Sequence, residues 1–438
     1  MGISKAVINF SIYVNYMQIC TVGRDGCSTE AENHVDGRWN SAAGFFLLVY
    51  TFINPYPHLF TIREVSYYLA VACCAVILFR NKDFSPFKTP LTLPVALFTL
   101  WAFVGLFFTL DRVGGIHDFR RHLLDYILLF VCYLTFLRDC GRVRLLFRVL
   151  VISLAISSCY ELYFWYWKLG NHWHSRILIP NYESPVGAVG FMALYALLAA
   201  FYLWMVEQDR VWRSIVLVCM LPLLLALYGT QMRSLLVAAP FVLFGIFWDH
   251  KKWLLLFLAV VLVPTGLLLK AERGHDLSHP DNARLTLNYI SMLVLKDHPL
   301  VGIGYGIDSF GKSEVVDPEY YRAQVPEKIR SSIETNIQHS LWLGIATRTG
   351  LPGLLVFCWI WGAWLWMNVQ VIRKAADEEV RMLGRLGIAI LLLYSIYGLF
   401  NVVNVHFLEA LLCLGFAVST AAGRFALSSD ALSLSRKE

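Results

Sequence analysis

Residues 186–206 read VGAVGFMALYALLAAFYLWMV, and after a short polar break at Glu207–Arg210 residues 212–228 read WRSIVLVCMLPLLLALY. The first run holds no charged residue over a length that matches the roughly 20 helical residues needed to cross a bilayer core. In lipid a spanning segment has to satisfy its backbone hydrogen bonds internally, so runs of this kind are helices. Working outward, comparable stretches fall at about 41–60, 64–80, 92–109, 122–137, 145–167, 234–249, 252–269, 341–368, 383–402 and 404–422. The expectation is an all-α, polytopic integral membrane protein with about twelve transmembrane helices and a helical periplasmic loop domain.

Composition agrees. The 438 residues are 58% hydrophobic and 16% charged, against about 45–50% and about 25% in ordinary soluble domains. Mean hydropathy is +0.57. The 14 Trp and 21 Tyr suit interfaces where amphipathic rings settle. A net charge of +6 would suit nucleic acid in a soluble protein, but in a membrane protein it records topology, and no nucleic-acid partner is expected. The ten cysteines include no CxxC pair and fall mostly within apolar segments, where they read as small packing residues.

Orientation follows from the placement of Lys and Arg. Loops and termini on the side of the chain ends hold 21 of them, and short loops on the other side hold 7. Both ends are therefore expected in the cytoplasm of a bacterial inner-membrane protein. The expected organisation is a cytoplasmic or interfacial segment over 1–40, nine spans over 41–269, a large periplasmic loop over 270–340, three spans over 341–422 and a cytoplasmic tail over 423–438. Lys5 and the modest apolar stretch that follows lack a small-residue cleavage site and fit an interfacial helix better than a signal peptide.

The large loop has structure of its own. Residues 283–296 place Leu285, Tyr289, Met292 and Leu293 on one helical face, and His298-Pro299 ends that helix. Gly302, Gly304 and Gly306 follow in a turn-rich stretch, and a second helix is expected over 318–334. No internal repeat is evident, which argues against inverted-repeat transporters.

Three polar residues stand near the outer face: Arg233 in Gly-Thr-Gln-Met-Arg-Ser at the head of a span, Arg284 in the loop, and His339 at the entrance to the tenth span. Each has an ordinary alternative: a snorkelling anchor, a solvated loop cation, and a helix cap. Their context is more specific. His339-Ser340 followed after nine residues by Gly350-Leu-Pro-Gly353 resembles the signature of the O-antigen ligase family. The Arg233 segment is similar to that family's arginine at the head of a span. Ala283-Arg284 through His298-Pro-Leu-Val-Gly-Ile-Gly-Tyr-Gly306 resembles its periplasmic arginine helix and the turn after it, and Phe119-Arg120 resembles a further element. The similarity covers roughly 90–422. This chain has Ser340 where many relatives carry Asn, and Arg348 where Glu often precedes Thr-Gly. Arg176 and Gly187, ten residues apart, are similar to a spacing in O-antigen polymerases.

The resemblance implies transfer of O-antigen polysaccharide from undecaprenyl diphosphate to a sugar of lipid A-core, with inversion, on the periplasmic face. Physical chemistry assigns the parts. A diphosphate leaving group calls for bidentate guanidinium donors, which Arg233 and Arg284 supply, with Arg120 as a weaker third cation. A sugar hydroxyl needs a base to lose its proton at neutral pH, and a neutral imidazole at His339 fits. No Asp-x-Asp or Glu-x-Asp pair lies on an outer loop, so no metal and no cofactor is expected. Three alternatives stay open: an O-antigen polymerase, a protein O-oligosaccharyltransferase, and, from another class, a lipid-linked glycan flippase or transporter. The last would need polar residues spread through the spans.

Overall fold

The structure is a computed structural model that describes residues 30–82, 84, 87–173, 175–177, 186–247, 282–330 and 338–435. Among these residues every regular element is helical: α1 (Glu30–Ile53), α2 (Phe60–Asn81), α3 (Thr92–Gly105), α4 (Arg112–Phe119), α5 (Asp125–Phe136), α6 (Cys140–Leu162), α7 (Val186–Val206), α8 (Arg210–Thr230) and α9 (Arg233–Phe247). They are followed by α10 (Asn282–Asp297), α11 (Pro318–Ala323), α12 (Leu341–Lys374), α13 (Glu378–Phe400) and α14 (His406–Ser435). A π-turn over Arg120–Leu124 joins α4 to α5, and another over Tyr163–Lys168 extends α6.

Among the described residues seven helices are long and apolar enough to cross a membrane, namely α2, α6, α7, α8, α12, α13 and α14, and three shorter apolar helices run over Trp39–Ile53, Thr92–Gly105 and Arg233–Phe247. The expected ninth span, 252–269, lies outside the described residues, as does residue 270–281 of the loop. The expected turn between the seventh and eighth spans is tight: α8 ends at Thr230, Gln231 caps it in the left-handed conformation (φ 49°), and α9 begins two residues later.

The bundle is ordered by how apolar each helix is around its circumference. α7 is apolar all round and sits at the centre, with Phe191, Tyr195, Leu198 and Tyr202 fully buried. α8, beside it, turns Leu217, Val218 and Leu221 outward, as a lipid-facing helix does. α9 packs along α13, where Gly245 lets the backbones approach: a Cβ there would stand 3.4 Å from the Ala389 Cα. At the helix ends expected in the cytoplasm, basic residues that mark topology also tie helices together. Arg148 pairs with Glu207, Arg144 with Glu379 at 3.4 Å, and Arg424 donates to the carbonyls of Leu134 and Leu137 at 3.2 and 3.1 Å.

The loop domain differs from expectation in two respects. The stripe of α10 that faces its small core is Leu287, Ile290 and Val294, packed on Ile303, Phe310, Val316, Tyr321 and Val325. Leu285 and Met292 point outward, 50% and 60% exposed. α10 carries apolar residues on most of its circumference, so spacing alone admits two stripes, and the partners decide between them. The second helix stops at Ala323, because Pro326 cannot continue it, and gives way to a single 3-10 turn over Glu327–Ile329. Residues 331–337 lie outside the described set.

Candidate functional site at the outer end of the bundle

The signature around Gly350 explains how the loop is joined to the bundle. α12 breaks at Gly350, whose φ of 70° and ψ of −176° are open to glycine. Pro352, two residues on, has no N–H to give to the Arg348 carbonyl. Inside a membrane a freed carbonyl is costly unless another donor reaches it. The glycine-rich turn supplies two donors, Ile303 N–H to the Thr347 carbonyl at 2.9 Å and Gly304 N–H to the Arg348 carbonyl at 3.2 Å, and in return its Pro299 carbonyl accepts from Leu351 N–H of α12 at 2.8 Å. Gly302 and Gly304 have positive φ and leave no room for side chains, since a Cβ would lie 2.3 Å from the Thr347 oxygen and 1.7 Å from the Thr109 hydroxyl. Two motifs distant in sequence are thus two halves of one joint.

The loop is pinned on its other side by carboxylates that sequence reading passed over. Asp118 accepts from Ile307 N–H at 2.7 Å. Asp111 accepts from the Ser309 hydroxyl at 2.9 Å and pairs with Lys312. Burial alone would raise the Asp111 pKa, but Lys312, the Gly114 N–H and Ser309 outweigh it and hold the carboxyl below the usual range. Asp111 caps α4 and Asp118 lies in its last turn, between two apolar helices, a position that marks them as candidates in hindsight.

His339 sits where the loop returns to the bundle, half-buried between two anchored neighbours. Gln338 donates to the Thr347 hydroxyl at 2.6 Å and reaches Ser291 of α10 at 3.4 Å. Ser340 caps α12, its hydroxyl accepting from Leu343 N–H, and donates to the Gly398 carbonyl at 3.4 Å. The capping role belongs to Ser340, not to the histidine. The imidazole is therefore held by its neighbours without being the residue that starts the helix.

Arg233 and Arg284 are both exposed, at the first turns of α9 and α10. The residue after Arg233, Ser234, accepts a hydrogen bond from Asn401 at 2.9 Å. Arg284 lies near enough to Tyr397 for its charge to act on the phenol. Thus the end of α13 is bonded to the serines that follow Arg233 and His339, through Asn401 and Gly398, and its Tyr397 lies within reach of the Arg284 charge. Arg176 and Gly187 join the same neighbourhood: Arg176 donates to the Thr230 carbonyl at 3.1 Å and to the Met232 sulfur at 3.3 Å, and a Cβ on Gly187 would lie 2.5 Å from the Tyr397 hydroxyl. None of the three residues of the α13 turn carries a sequence motif that would have singled it out.

Arg120 is placed differently. It is exposed in the π-turn before α5, its charge acts on Asp125, and nothing described ties it to the α13 anchor. Next to it lies a polar cluster that the motifs did not flag. His122 Nδ1 is 2.7 Å from Glu409 Oε2, and His406 Nδ1 is 3.0 Å from the Tyr126 hydroxyl. The two imidazoles stack at 4.8 Å with planes 17° apart. Among the described residues His122, His406 and Glu409 are the trio whose ligand atoms come close enough to hold a metal, all within 4.8 Å of one another. Near-parallel rings aim their in-plane lone pairs along near-parallel lines, so one ring would have to turn before both met a single ion.

No curated protein matches the chain. Residues 177–358 match the Wzy_C family model, described as O-antigen ligase, a span that runs from Ile177 beside Arg176 through Arg233, Arg284 and His339 to Cys358 beyond the Gly350 joint. Over these residues the chain carries a domain of the O-antigen ligase family, set in an all-helical membrane bundle.

Proposed function

We propose that the protein is an O-antigen ligase of the bacterial inner membrane. It moves O-antigen polysaccharide from undecaprenyl diphosphate to a sugar of lipid A-core at the periplasmic face. The observation that supports this most is that the three candidates, all within the family match, gather at the end of α13: the serines after Arg233 and His339 bond Asn401 and Gly398, and the Arg284 charge reaches Tyr397. In this reading His339 takes the proton of the acceptor hydroxyl, whose oxygen attacks the donor anomeric carbon as the bond to the diphosphate breaks. Attack opposite the leaving group inverts the carbon. Arg233 and Arg284 grip the diphosphate through paired N–H donors and stabilise the charge that it gains, and Arg120 adds a more distant positive field. Charge stabilisation and base assistance together need no metal.

Polymerisation of lipid-linked repeat units is the second reading, and Arg176 and Gly187 favour it by meeting at Met232, next to Arg233, with Gly187 also against Tyr397. The fate of polysaccharide in a deletion strain separates the two. Accumulated full-length polymer on its lipid carrier, with bare lipid A-core, is the expected result; lipid A-core bearing one repeat unit would assign the polymerase instead.

A further inference from the structure

A cavity of about 140 Å³ lies beside the first turns of α12, against Leu341, Ile345 and Arg348. Its long walls are Phe98 of α3, Phe130 of α5, Phe357 and Trp361 of α12, and Leu412 and Phe416 of α14. Its opposite end is polar, with Arg348, Asn404, Tyr305, His122 and Glu409. An apolar chamber of about 150 Å³ is large enough to hold benzene and stays dry otherwise. This one therefore suits a short length of hydrocarbon.

Arg348 makes the chamber more than a packing defect. It stands inside a membrane helix, two residues before the Gly350 break, and is 3% exposed. Its Nε donates to the Gly344 carbonyl at 3.0 Å, one terminal nitrogen reaches Asn404 at the long distance of 3.5 Å, and its guanidinium lies 5.3 Å from the centre of the Tyr305 ring. Among the described residues no carboxylate forms an ion pair with it, for Glu409 is engaged by His122. A guanidinium has five N–H donors, and these bonds use two. A buried cation within a membrane helix with donors to spare is a functional position by default.

We infer that this cavity binds one chain of an anionic lipid, with the hydrocarbon among the aromatic residues and the phosphate of the headgroup against Arg348. The two ends of the chamber ask for opposite chemistries, and an amphiphile whose phosphate is close to its chain supplies both. α3 is the wall toward the bilayer, burying Phe98 on the cavity side while Leu93 and Leu100 face outward. The inference concerns binding alone and holds or fails independently of the transfer reaction.

The test uses the purified full chain in zwitterionic nanodiscs with two photoreactive probes of identical acyl chains, a phosphatidic acid and a phosphatidylcholine, and maps the cross-linked peptides. The phosphatidic acid probe is expected to label the α12 and α14 segments that line the cavity ~10-fold or more above the phosphatidylcholine probe, as a charge-assisted hydrogen bond implies. Arg348→Gln should remove that preference, and Arg348→Lys should retain part of it. Leu412→Trp, which fills the chamber from its wall, should suppress labelling by both probes. Equal labelling of the native protein by the two probes would mean annular lipid only and overturn the proposal, as would labelling indifferent to both Arg348→Gln and Leu412→Trp. Inorganic phosphate is the last competitor: if it displaces the phosphatidic acid probe completely, the site is one for free phosphate and the lipid assignment fails.

Discussion

Replacing Gly350 by alanine tests the joint that places His339. At φ 70° and ψ −176° a side chain is strained by about 1–3 kcal/mol. The added Cβ would stand 2.0 Å from the Leu300 carbonyl oxygen, whereas real Cβ contacts do not fall below 3.0 Å, so backbone has to give by 1 Å or so. The backbone in the way belongs to the His298–Gly306 turn, whose three hydrogen bonds to α12 are each worth about 0.5–1.5 kcal/mol. Loss of the joint therefore costs about 3–7 kcal/mol in all. The control lies in the same helix: a Cβ on Gly362 meets nothing within 4 Å, so Gly362→Ala should be neutral or slightly stabilising. Thermal melting in detergent by fluorescence-detected gel filtration, with in vitro transfer on the surviving monodisperse protein, reads both effects. Gly350→Ala should melt well below Gly362→Ala and transfer poorly even when folded. Equal melting and equal transfer by the two variants would show that the turn does not support the site.

Other outcomes follow from the same geometry. Arg233→Lys and Arg284→Lys keep charge but lose the planar fork, so transfer should fall substantially in each; full activity in both would replace the bidentate clamp with a diffuse positive field. Ser340→Ala should cost about 1 kcal/mol of stability, as a lost helix cap does, and an unchanged melting curve would remove its capping role. The Asp111 carboxyl is held below its ordinary pKa, so its hold on the loop is present at neutral pH and lost as pH falls through that lowered value. Asp111→Asn should therefore speed amide exchange in residues 307–316 at pH 7, and protection equal to native would place the anchor elsewhere. Alkaline phosphatase fused near residue 315 should be active and one fused near residue 377 inactive; the reverse pattern would overturn the orientation.

The spans were legible because a bilayer imposes length and apolarity together. Residues 186–206 were expected and the helix runs Val186–Val206. Ends were less legible where a helix continues into water: α12 runs to Lys374 and α14 to Ser435, beyond the apolar stretches that mark their spans. The glycine turn and the Gly350 element were each visible in sequence, but not that one repairs the broken hydrogen bonds of the other, since that depends on Pro352 and on contacts about fifty residues apart. The buried stripe of α10 could not be chosen by spacing in a helix apolar on most sides. Tyr397, Gly398 and Asn401 were invisible because they act through a backbone carbonyl, a phenol and an amide, which leave no charge or motif. His122, Glu409 and Arg348 left a signal, ionisable residues within apolar runs, that weighs more in a membrane than a soluble chain.

The most direct measurement is single-turnover transfer by purified His339→Asn protein, with lipid-linked O-antigen as donor and lipid A-core as acceptor, alongside donor binding. Because Ser340 caps α12, the asparagine variant should fold and bind donor as the native protein does. General-base assistance is worth about 10²–10⁴-fold in rate, so transfer should fall by that factor while binding holds. Near-native transfer by the folded variant would contradict the account and leave His339 a structural residue.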